Sequence, residues 1–494
     1  MTEGLSDATT WQRERDDVLA RLVRHGGEAV AFQALQPGFA FWREADAGVG
    51  YVDTGVAWVA AGAPIAAEGR EREAAERFVA SARAAGRRAC FFAVSDAFVS
   101  ASGLAATRIG EQPTWDPRRW PSVVDGARSL REQLRRARAK GVAVHEVAPS
   151  ELAALDGPLR AAVDALLLRW LASRAMPPMG FVVAVAPFEL AERRLYFLAT
   201  RADKLVAFLT CVPVHGRSGW LLEVLARDPA APNGTVELVI DSAMRAMAAM
   251  GAQYATLGLA PLSGEVATPL VIARRLGRTL FDFDGLRAFK AKLRPERWEP
   301  IYLARPTDAS APVAVWDVLA AFARGHMIGF GLHALARVPR VVPRAIALGL
   351  LPWTALLALA APAHWFPSDA VRFAWTLADL ALAAALWSLG NRWRSAVSAA
   401  VTAALTLDSA LSVVQIALFD WSRAGSTAER VLFATSAALP AMVAVLFAVG
   451  TVQRSRWRRL PEGLIIDQGA LPARTGDAVR GPTRRAPPPG ARPA

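Results

Sequence analysis

One acidic residue stands inside an apolar segment that has the pattern of a β-strand. The segment is WLLEVLA, and Glu223 is its only charged residue. Because strand side chains alternate between two faces, a carboxylate at this position faces either solvent or a cleft. In a cleft, desolvation would favour its use as a general base. Glu223 is therefore the first candidate catalytic residue.

A Pro-rich turn shortly after this strand leads into a predicted helix. The turn has the sequence DPAAPNGT, and the helix is expected from Thr235 to Met250. Unpaired backbone N–H groups and the helix dipole can hold an anion or a carbonyl oxygen at such a helix start. Asn233 and Gly234 are therefore candidates for stabilising an oxyanion. The alternative is an ordinary capped helix after the turn.

The segment 128–140, RSLREQLRRARAK, is predicted to form a basic amphipathic helix. Leu130, Leu134 and Ala137 share one face, and arginines recur on another. A solvated charged face is one interpretation of this pattern. The other is contact with the phosphates of tRNA or of lipid, for which the candidate residues are Arg131, Arg135 and Arg136.

A second cluster of cations lies in GLRAFKAKLRPERWEPIYLA. Arg287, Lys290 and Lys292 fall within two turns of a helix that ends at Pro295, and half of the four lysines of the chain are here. Lysine binds phosphate as a point charge, so a site for a headgroup or a tRNA phosphate is expected. The alternative is a helix end whose cations complement its dipole.

Several well-known catalytic signatures are missing from the sequence. It contains no GxxxxGK[ST] loop, no HExxH helix, no GxSxG turn and no CxxC pair, which argues against nucleotide hydrolysis, zinc proteolysis and serine-esterase chemistry. The Q/RxxGxG/A loop that holds coenzyme A in acetyltransferases is also missing.

Cys90 and Cys211 lie in apolar runs and are expected to be reduced core thiols. We expect neither a metal nor a cofactor.

Short apolar strands and amphipathic helices alternate twice along the first 306 residues. Residues 1–145 give the order β-β-β-α-β with flanking helices, and residues 146–306 repeat it. The predicted fold class is α+β, with two mixed-sheet lobes that suggest a tandem duplication. Residues 307–340 are expected to be a juxtamembrane linker.

Four long apolar stretches follow, at about 343–361, 371–389, 396–419 and 431–452. Each approaches the ~20 residues that a membrane-spanning helix requires. Buried helices of a soluble domain are the alternative, but polar faces are nearly missing. We therefore predict an all-α membrane domain at 341–455, followed by a disordered basic tail at 456–494.

The distribution of arginine predicts the orientation in the membrane. Arginines are concentrated before the first stretch, between the second and third, and after the fourth. By the positive-inside rule both termini are cytoplasmic, in the inner (plasma) membrane. The N-terminus shows no secretion signal. The net charge of +13 favours polyanionic partners, although Arg-rich codon usage and positive-inside loops are an equal explanation.

Two acidic residues are predicted to lie inside the membrane. Asp379 and Asp408 fall within the second and third apolar stretches, where an ionised group is costly and often functional. They either mark a polar path for lipid headgroups or are internally hydrogen-bonded or protonated structural residues.

Four blocks of the sequence resemble a known family. They occur in the order found in the C-terminal domain of phosphatidylglycerol lysyltransferases and cover about residues 30–305; they are RSLREQLRRARAKGV, LARDPAAPNGTVELVIDSAM, YATLGLAPLSG and LRAFKAKLRPERWEPIYLA. The resemblance implies a tandem acetyltransferase-like (GNAT-like) fold with a tunnel between the lobes. It also implies that aminoacyl-tRNA enters from one side and the lipid from the membrane side.

The chain departs from this family at two points. Family members have an Asp-Leu-Met-Arg run before the Pro-Asn-Gly turn, whereas this chain has Glu223-Val224-Leu225-Ala226, with Arg227 one position later. Arg227, a further candidate for substrate binding, is expected to face the opposite side of the strand. Lysyltransferases also carry a large membrane domain before the catalytic part, whereas here four helices follow it.

The resemblance implies an aminoacyltransferase that is anchored in the membrane. It would move an aminoacyl group from aminoacyl-tRNA to an anionic phospholipid such as phosphatidylglycerol. Two alternatives stay open: a non-catalytic module that binds tRNA or lipid, and a transferase with another acceptor, such as diacylglycerol, an ornithine-type lipid or a peptide amine. The sequence does not indicate an oligomeric state.

Overall fold

The chain forms an α/β region followed by four long apolar helices. The computed structural model describes residues 2–154, 157–174, 179–278, 281–323 and 341–458. The strands are β1 Ala40–Glu44, β2 Ala47–Asp53, β3 Ala57–Ala61, β4 Arg88–Ser95, β5 Ala105–Trp115, β6 Val142–Val147, β7 Leu195–Arg201, β8 Lys204–Val214, β9 Gly219–Arg227, β10 Tyr254–Thr256, β11 Ala260–Pro261 and β12 Arg297–Arg305.

Ten α-helices accompany these strands within the described residues, and four more follow. The first ten are α1 Thr2–His25, α2 Glu71–Ala84, α3 Asp96–Ser102, α4 Trp120–Gly126, α5 Arg128–Ala139, α6 Pro158–Ala172, α7 Thr235–Ala249, α8 Thr268–Gly277, α9 Phe283–Lys292 and α10 Ala311–Phe322. The apolar four are α11 Val341–Leu359, α12 Asp369–Asn391, α13 Ser395–Gln415 and α14 Thr427–Arg458. Helix α13 continues through a π-helical stretch, Ile416–Asp420, and a short turn to Arg423.

All 12 strands belong to one sheet, and the same motif occurs twice in it. In the first half, β1, β2 and β3 run antiparallel, and α2 then crosses over to β4, which pairs parallel to β3. In the second half, β7, β8 and β9 run antiparallel, and α7 crosses over to β10, which pairs parallel to β9. The repetition confirms the predicted tandem mixed-sheet fold.

The two halves exchange their last strands. The strand order is β1-β2-β3-β4-β12-β5-β10-β9-β8-β7-β6. Strand β12, the last of the second half, pairs with β4, while β5, the last of the first half, pairs with β10. At the centre β5 and β12 pair with each other in antiparallel register from Arg297 opposite Thr114 to Arg305 opposite Ala105. Neither half of the sheet is therefore complete without a strand from the other.

Helices cover both faces of the sheet. In the second half, α5 and α7 pack on one face, with Leu134 and Val239 in one core, and α6 packs on the other. Helix α1 and the 3₁₀ turn Ala31–Leu35 cover the junction of the halves. Strands buried on both faces are expected to be almost continuously apolar, as β4 is with its sequence RACFFAVS.

Two predicted boundaries need correction. The division at residue 145/146 falls inside β6, and helix α5 before it packs in the core of the second half. The sheet instead passes from one half to the other between β5 and β10. Residues 311–322 are not linker, because α10 packs through Ala314 and Val318 on the first half. Residues 324–340 lie outside the described residues.

The four apolar helices are long and apolar enough to cross a membrane. The spans are Val341–Leu359, Asp369–Asn391, Ser395–Arg423 and Thr427–Thr451, and only 17–28% of each is buried. Helices buried within a soluble domain would be enclosed on all sides, so this exposure argues against that alternative. The predicted tail begins within α14, and residues 459–494 lie outside the described part of the chain.

Gly219 allows the parallel pair β9 and β10 to form. A Cβ atom at this position would lie 2.1 Å from the carbonyl oxygen of Tyr254. We predict that Gly219→Ala destabilises the sheet by about 1–3 kcal/mol, the usual cost of overpacking. Faster hydrogen exchange in β9 and β10 of the full chain in detergent would show this.

Gly126→Ala is the matched control for this substitution, since no atom lies within 4 Å of its Cβ position. It should leave the exchange of β9 and β10 unchanged. Equal protection of the two strands in both variants would show that the close approach does not limit stability.

Candidate active site at the junction of the two half-sheets

Strands β9 and β10 separate after a short parallel pairing. The register joins Tyr254, Ala255 and Thr256 to Gly219, Trp220 and Leu221, and then the chain leaves β10 while β9 continues to Arg227. Among the described residues, no strand pairs with the second half of β9 on that side. In open sheets with parallel strands, the region beyond such strand ends is where ligands bind.

A β-bulge places Glu223 in this second half of β9. Thr210 of β8 is paired with Val224 and Cys211 with Leu222, so Glu223 is the extra residue between them. A bulge interrupts the ladder and redirects a side chain. Leu222 packs in the core that contains α7, whereas Glu223 contacts Gln36 on the face covered by α1.

The carboxylate of Glu223 is buried and paired. It accepts hydrogen bonds from Nη1 of Arg194 and, at 2.8 Å, from Nε2 of Gln36. Its side chain is 2% exposed and that of Arg194 is 0% exposed. Of the two expected positions, solvent and cleft, the solvent-facing one is therefore wrong, because Glu223 forms a buried ion pair with Arg194.

Arg194 and Gln36 both have further polar atoms at this place. Arg194 donates from Nε to the carbonyl oxygen of Glu189 at 2.6 Å, and its guanidinium lies 5.5 Å from the ring centroid of Phe32. Its Nη2 and the Oε1 of Gln36 are buried without a hydrogen-bond partner among the described residues. Buried polar groups are nearly always paired in folded proteins, so these two atoms are candidates for contact with a ligand.

A third unpaired atom lies on the same face of the sheet. Oγ1 of Thr210 is buried and has no hydrogen-bond partner among the residues described. Thr210 lies between Phe208 and Val212, whose side chains belong to the cores under α6 and α1. Polar atoms without a partner among the described residues therefore occur on both residues that bond to Glu223, Arg194 and Gln36, and on Thr210, which lies beside the bulge on β8.

The start of α7 lies on the other face of β9. Gly234 has a φ of +92°, and a Cβ there would be 2.3 Å from the carbonyl oxygen of Gln133 in α5. Glycine is thus required by the close packing of α5 and α7, while Asn233 is exposed. The buried Glu237 occupies the first turn of α7, where a carboxylate disfavours a bound anion. The structure does not bring Asn233 and Gly234 together with Glu223 on one face.

The three cations of the Lys/Arg-rich helix α9 have protein partners. Arg287 donates to Glu111 at 2.8 Å and lies over the ring of Trp298, and Lys292 pairs with Glu237 at 2.8 Å. The expected phosphate site at this helix is therefore occupied by protein carboxylates.

Lys290 has a structural position. Its Nζ is buried and donates to the carbonyl oxygens of Leu257, Gly258 and Leu259 at 2.8–2.9 Å. Burial lowers the pKa of Lys290 to about 7, and hydrogen bonds to three carbonyl oxygens favour the charged form. Lys290 holds the chain as it leaves β10, so it is not free to bind a phosphate, in contrast to the prediction.

The basic helix α5 matches its predicted pattern. Leu130, Leu134 and Ala137 are buried, and Arg131, Arg135 and Arg136 are exposed at the surface. Arg131 donates to the carbonyl oxygens of Val124 and Asp125. Arg135 and Arg136 both pair with Glu132 and hold its pKa at about 2. Their contact with phosphate stays a prediction.

The position of Arg227 follows strand alternation. Ala226 is fully buried in the core under α6, and Arg227 is half-buried, with Nε donating to the carbonyl oxygen of Asp228 at 3.4 Å. The alternative arginine therefore does not reach Glu223. Arg194 and Gln36 do bond to it and Thr210 lies beside the bulge, and the sequence pattern did not predict these three residues. A lone polar residue in an apolar segment, as Thr210 is, was the one local signal.

The repeated sheet topology fits the tandem GNAT-like fold that the resemblance implied. The sequence profile named Phosphatidylglycerol lysyltransferase, C-terminal matches residues 19–305, more than half of the 494 residues. The chain therefore belongs to this family.

One individual relative agrees with this membership. A lysylphosphatidylglycerol biosynthesis bifunctional protein, LysX, from Nocardia farcinica is 30% identical over 144 residues, which are 28% of this chain and 12% of that protein. The chain thus spans only a small part of that relative.

Two solved structures share the fold of this region. The C-terminal DUF2156 domain of a protein assigned as a lysylphosphatidylglycerol synthetase from Agrobacterium fabrum has a TM-score of 0.54 at 25% identity, covering 64% of this chain and 98% of that one. The L-PGS structure from Bacillus licheniformis also has a TM-score of 0.54, at 20% identity, covering 63% and 96%.

The position of Lys290 gives a prediction about stability. Lys290→Met leaves three partly buried carbonyl oxygens without this donor, and an unsatisfied buried group costs about 1–3 kcal/mol. We predict a loss of more than about 2 kcal/mol and faster hydrogen exchange at residues 254–262. Lys204→Met removes an exposed lysine and should change neither the stability nor the hydrogen exchange at residues 254–262. Unchanged exchange in Lys290→Met would contradict the structural role of this amine.

Proposed function

We propose that this chain transfers an aminoacyl group from aminoacyl-tRNA to a membrane lipid such as phosphatidylglycerol. One observation carries the proposal: a chain of this family buries a Glu223–Arg194 pair at a strand bulge, and polar atoms of Arg194 and Gln36 beside it have no hydrogen-bond partner among the described residues. The expected tunnel between the lobes would bring the two substrates to this place.

The reaction exchanges one ester for another. The lipid hydroxyl attacks the carbonyl carbon of the aminoacyl ester, and the bond from that carbon to the terminal ribose oxygen of the tRNA breaks. The proton of the lipid hydroxyl ends on the released ribose oxygen. Because an ester is both broken and formed, the enzyme mainly has to orient the substrates and stabilise the oxyanion.

The buried cluster supplies groups for these tasks. Nη2 of Arg194 is a donor with no partner among the described residues, and it is suited to the carbonyl oxygen as negative charge develops there. Oε1 of Gln36 and Oγ1 of Thr210 are acceptors suited to the α-ammonium group of the aminoacyl moiety. Glu223 is a positioning residue in this mechanism, because its carboxylate holds both Arg194 and Gln36.

The same cluster favours catalysis over a non-catalytic binding module. Alanine at position 226 removes the arginine that family members are expected to have on this face. Arg194 provides a guanidinium at Glu223 from a different segment, just before β7. The departure at Ala226 therefore does not leave Glu223 without an arginine. A diacylglycerol hydroxyl or the amine of an ornithine-type lipid or a peptide would react by the same chemistry.

The four apolar helices would hold the enzyme at its lipid substrate. Arginines are concentrated before α11 and at the start of the tail, and Arg392 and Arg394 lie between α12 and α13. By the positive-inside rule, this distribution favours cytoplasmic termini in the inner membrane. The exposed arginines of α5 would contact tRNA phosphates on the cytoplasmic side. No metal or cofactor enters this mechanism.

Glu223→Gln tests the proposal in the full chain. The variant leaves Arg194 buried without a counter-charge, so we predict a loss of transfer of more than about 100-fold, in line with the loss of a positioned oxyanion donor. The loss should fall on kcat and not on KM. Labelled aminoacyl-tRNA and vesicles with phosphatidylglycerol, diacylglycerol or phosphatidylethanolamine would measure the rate for each acceptor.

Two variants control for stability, because breaking a buried pair costs about 3–5 kcal/mol. Glu223→Asp keeps the charge and should restore part of the rate. Asp317→Asn removes a buried carboxylate from Arg88, which it contacts at 2.6 Å on the first half, and should keep full activity per folded molecule. Full activity of folded Glu223→Gln would contradict the proposed site.

A further inference from the structure

A cavity of about 500 Å³ lies among the four apolar helices. Its lining is mostly apolar, with the tryptophans Trp353, Trp365 and Trp375 and the carboxylates of Asp379, Asp408 and Asp420. No lysine, arginine or histidine is among the described residues that line it. This volume is within the range of sites for organic ligands and is far larger than one metal ion needs.

Two of these carboxylates have no partner among the described residues. Asp379 is 7% exposed, and within the described part of the chain neither it nor Asp408 has a side-chain hydrogen bond or an ion pair. Asp420 differs, because Nε2 of Gln415 donates to it at 3.2 Å. The internally hydrogen-bonded form of the structural alternative therefore does not hold for Asp379 and Asp408 among the described residues, and protonated structural carboxylates are an outcome of the test below, which equal binding of all lipids would favour. Unpaired carboxylates within a membrane span are costly and call for a cationic partner.

The backbone around the cavity is irregular as well. The π-helical stretch Ile416–Asp420 begins directly after Gln415, and both of its ends line the cavity. Pro440 in α14 also lines it, and a proline there removes the N–H that would bond to the carbonyl oxygen of Ser436. Interrupted helices are tolerated at membrane depth where they line a cavity, and π-helical turns are frequent at functional sites.

We infer that this cavity binds a lipid headgroup that carries a protonated primary amine. The amine provides the positive charge and the N–H donors that Asp379 and Asp408 lack, and the faces of the tryptophan rings attract a cation. The apolar remainder of the lining accommodates the adjoining glycerol and the first part of the acyl chains. A polyamine or a hydrated metal ion would leave this apolar surface without contacts.

Two sources share this headgroup chemistry. One is an aminolipid already present in the membrane, such as phosphatidylethanolamine. The other is the aminoacylated lipid that the proposed reaction would produce, and only this second source rests on the proposed function. The free α-amine of an aminoacyl ester and the amine of phosphatidylethanolamine present the same charged group to the two carboxylates.

Lipid binding to the purified full chain tests the inference. Native mass spectrometry in detergent would compare four lipids with identical acyl chains: phosphatidylglycerol, phosphatidylethanolamine, phosphatidylcholine and synthetic alanyl-phosphatidylglycerol. We expect the two amine-bearing lipids to bind at least tenfold more tightly than phosphatidylglycerol. Phosphatidylcholine has the charge without N–H donors and should bind in between. Equal binding of all four lipids would overturn the inference.

Substitutions in the bundle make the test specific. Asp379→Asn and Asp408→Asn keep the side-chain shape and should each lose the tenfold preference. Asp369→Asn is the control, since its exposed carboxylate lies 3.5 Å from Arg372 at the start of α12, and it should keep the preference. A preference that survives in both cavity variants would contradict the site.

Transfer assays on the same proteins separate this inference from the proposed function. Asp379→Asn and Asp408→Asn should transfer aminoacyl groups at the wild-type rate, because both residues lie outside the sheet region. If the wild-type chain shows no transfer but binds phosphatidylethanolamine in an Asp379-dependent manner, the proposed function fails and the binding site stands. If the wild-type chain transfers aminoacyl groups but binds amine-bearing lipids no more tightly than phosphatidylglycerol, the proposed function stands and the binding site fails.

Discussion

The buried ion pair between Glu223 and Arg194 is the interaction on which the candidate site depends. Two charges removed from water form a stable pair only when their geometry is closely fixed. Here the bulge in β9, the bond from Arg194 to the carbonyl oxygen of Glu189 and the amide of Gln36 fix the pair. Gln36 comes from the first half of the sheet, so the pair also requires that the two halves keep one fixed arrangement.

The exchange of strands provides this arrangement. Strands β5 and β12 form the centre of one continuous sheet, and each completes the half to which it does not belong in sequence. A hinge between the halves would separate Gln36 from Glu223, whereas a shared sheet cannot bend at that point without breaking the β5–β12 register. The rigid scaffold allows polar atoms to stay buried without partners, where an approaching substrate can satisfy them. Lys290 adds to this rigidity by holding the chain that leaves β10.

Local patterns in the sequence predicted the elements well. The periodicity of Leu130, Leu134 and Ala137 predicted the buried face of α5, and the four apolar stretches predicted α11 to α14 within a few residues. Glu223 was recognised because a charged residue in an apolar strand is unusual. The partners of Glu223 could not be found in this way, since Gln36 lies 187 positions away and only the folded sheet brings it close. For the same reason the place of β12, beside β4, was not predictable.

The cations illustrate the limits of charge patterns. The sequence around Lys290 and Lys292 indicated a phosphate-binding helix. In the structure, Lys290 donates to three carbonyl oxygens and Lys292 pairs with Glu237. Conversely, the sequence indicated two roles for Asp379 and Asp408 and could not decide between them, because only the folded helices show that both line a cavity and have no hydrogen-bond or ion-pair partner among the described residues. In both cases the distinction depends on tertiary contacts and not on residue type.

Mass spectrometry of lipid extracts tests the central claim most directly. Cells that express the chain should contain a lipid, absent from cells without it, whose mass is that of a membrane lipid plus one aminoacyl residue and which releases a free amino acid in mild alkali. The absence of an aminoacylated species from every lipid class would contradict the assignment of this chain as an aminoacyltransferase that acts on lipid.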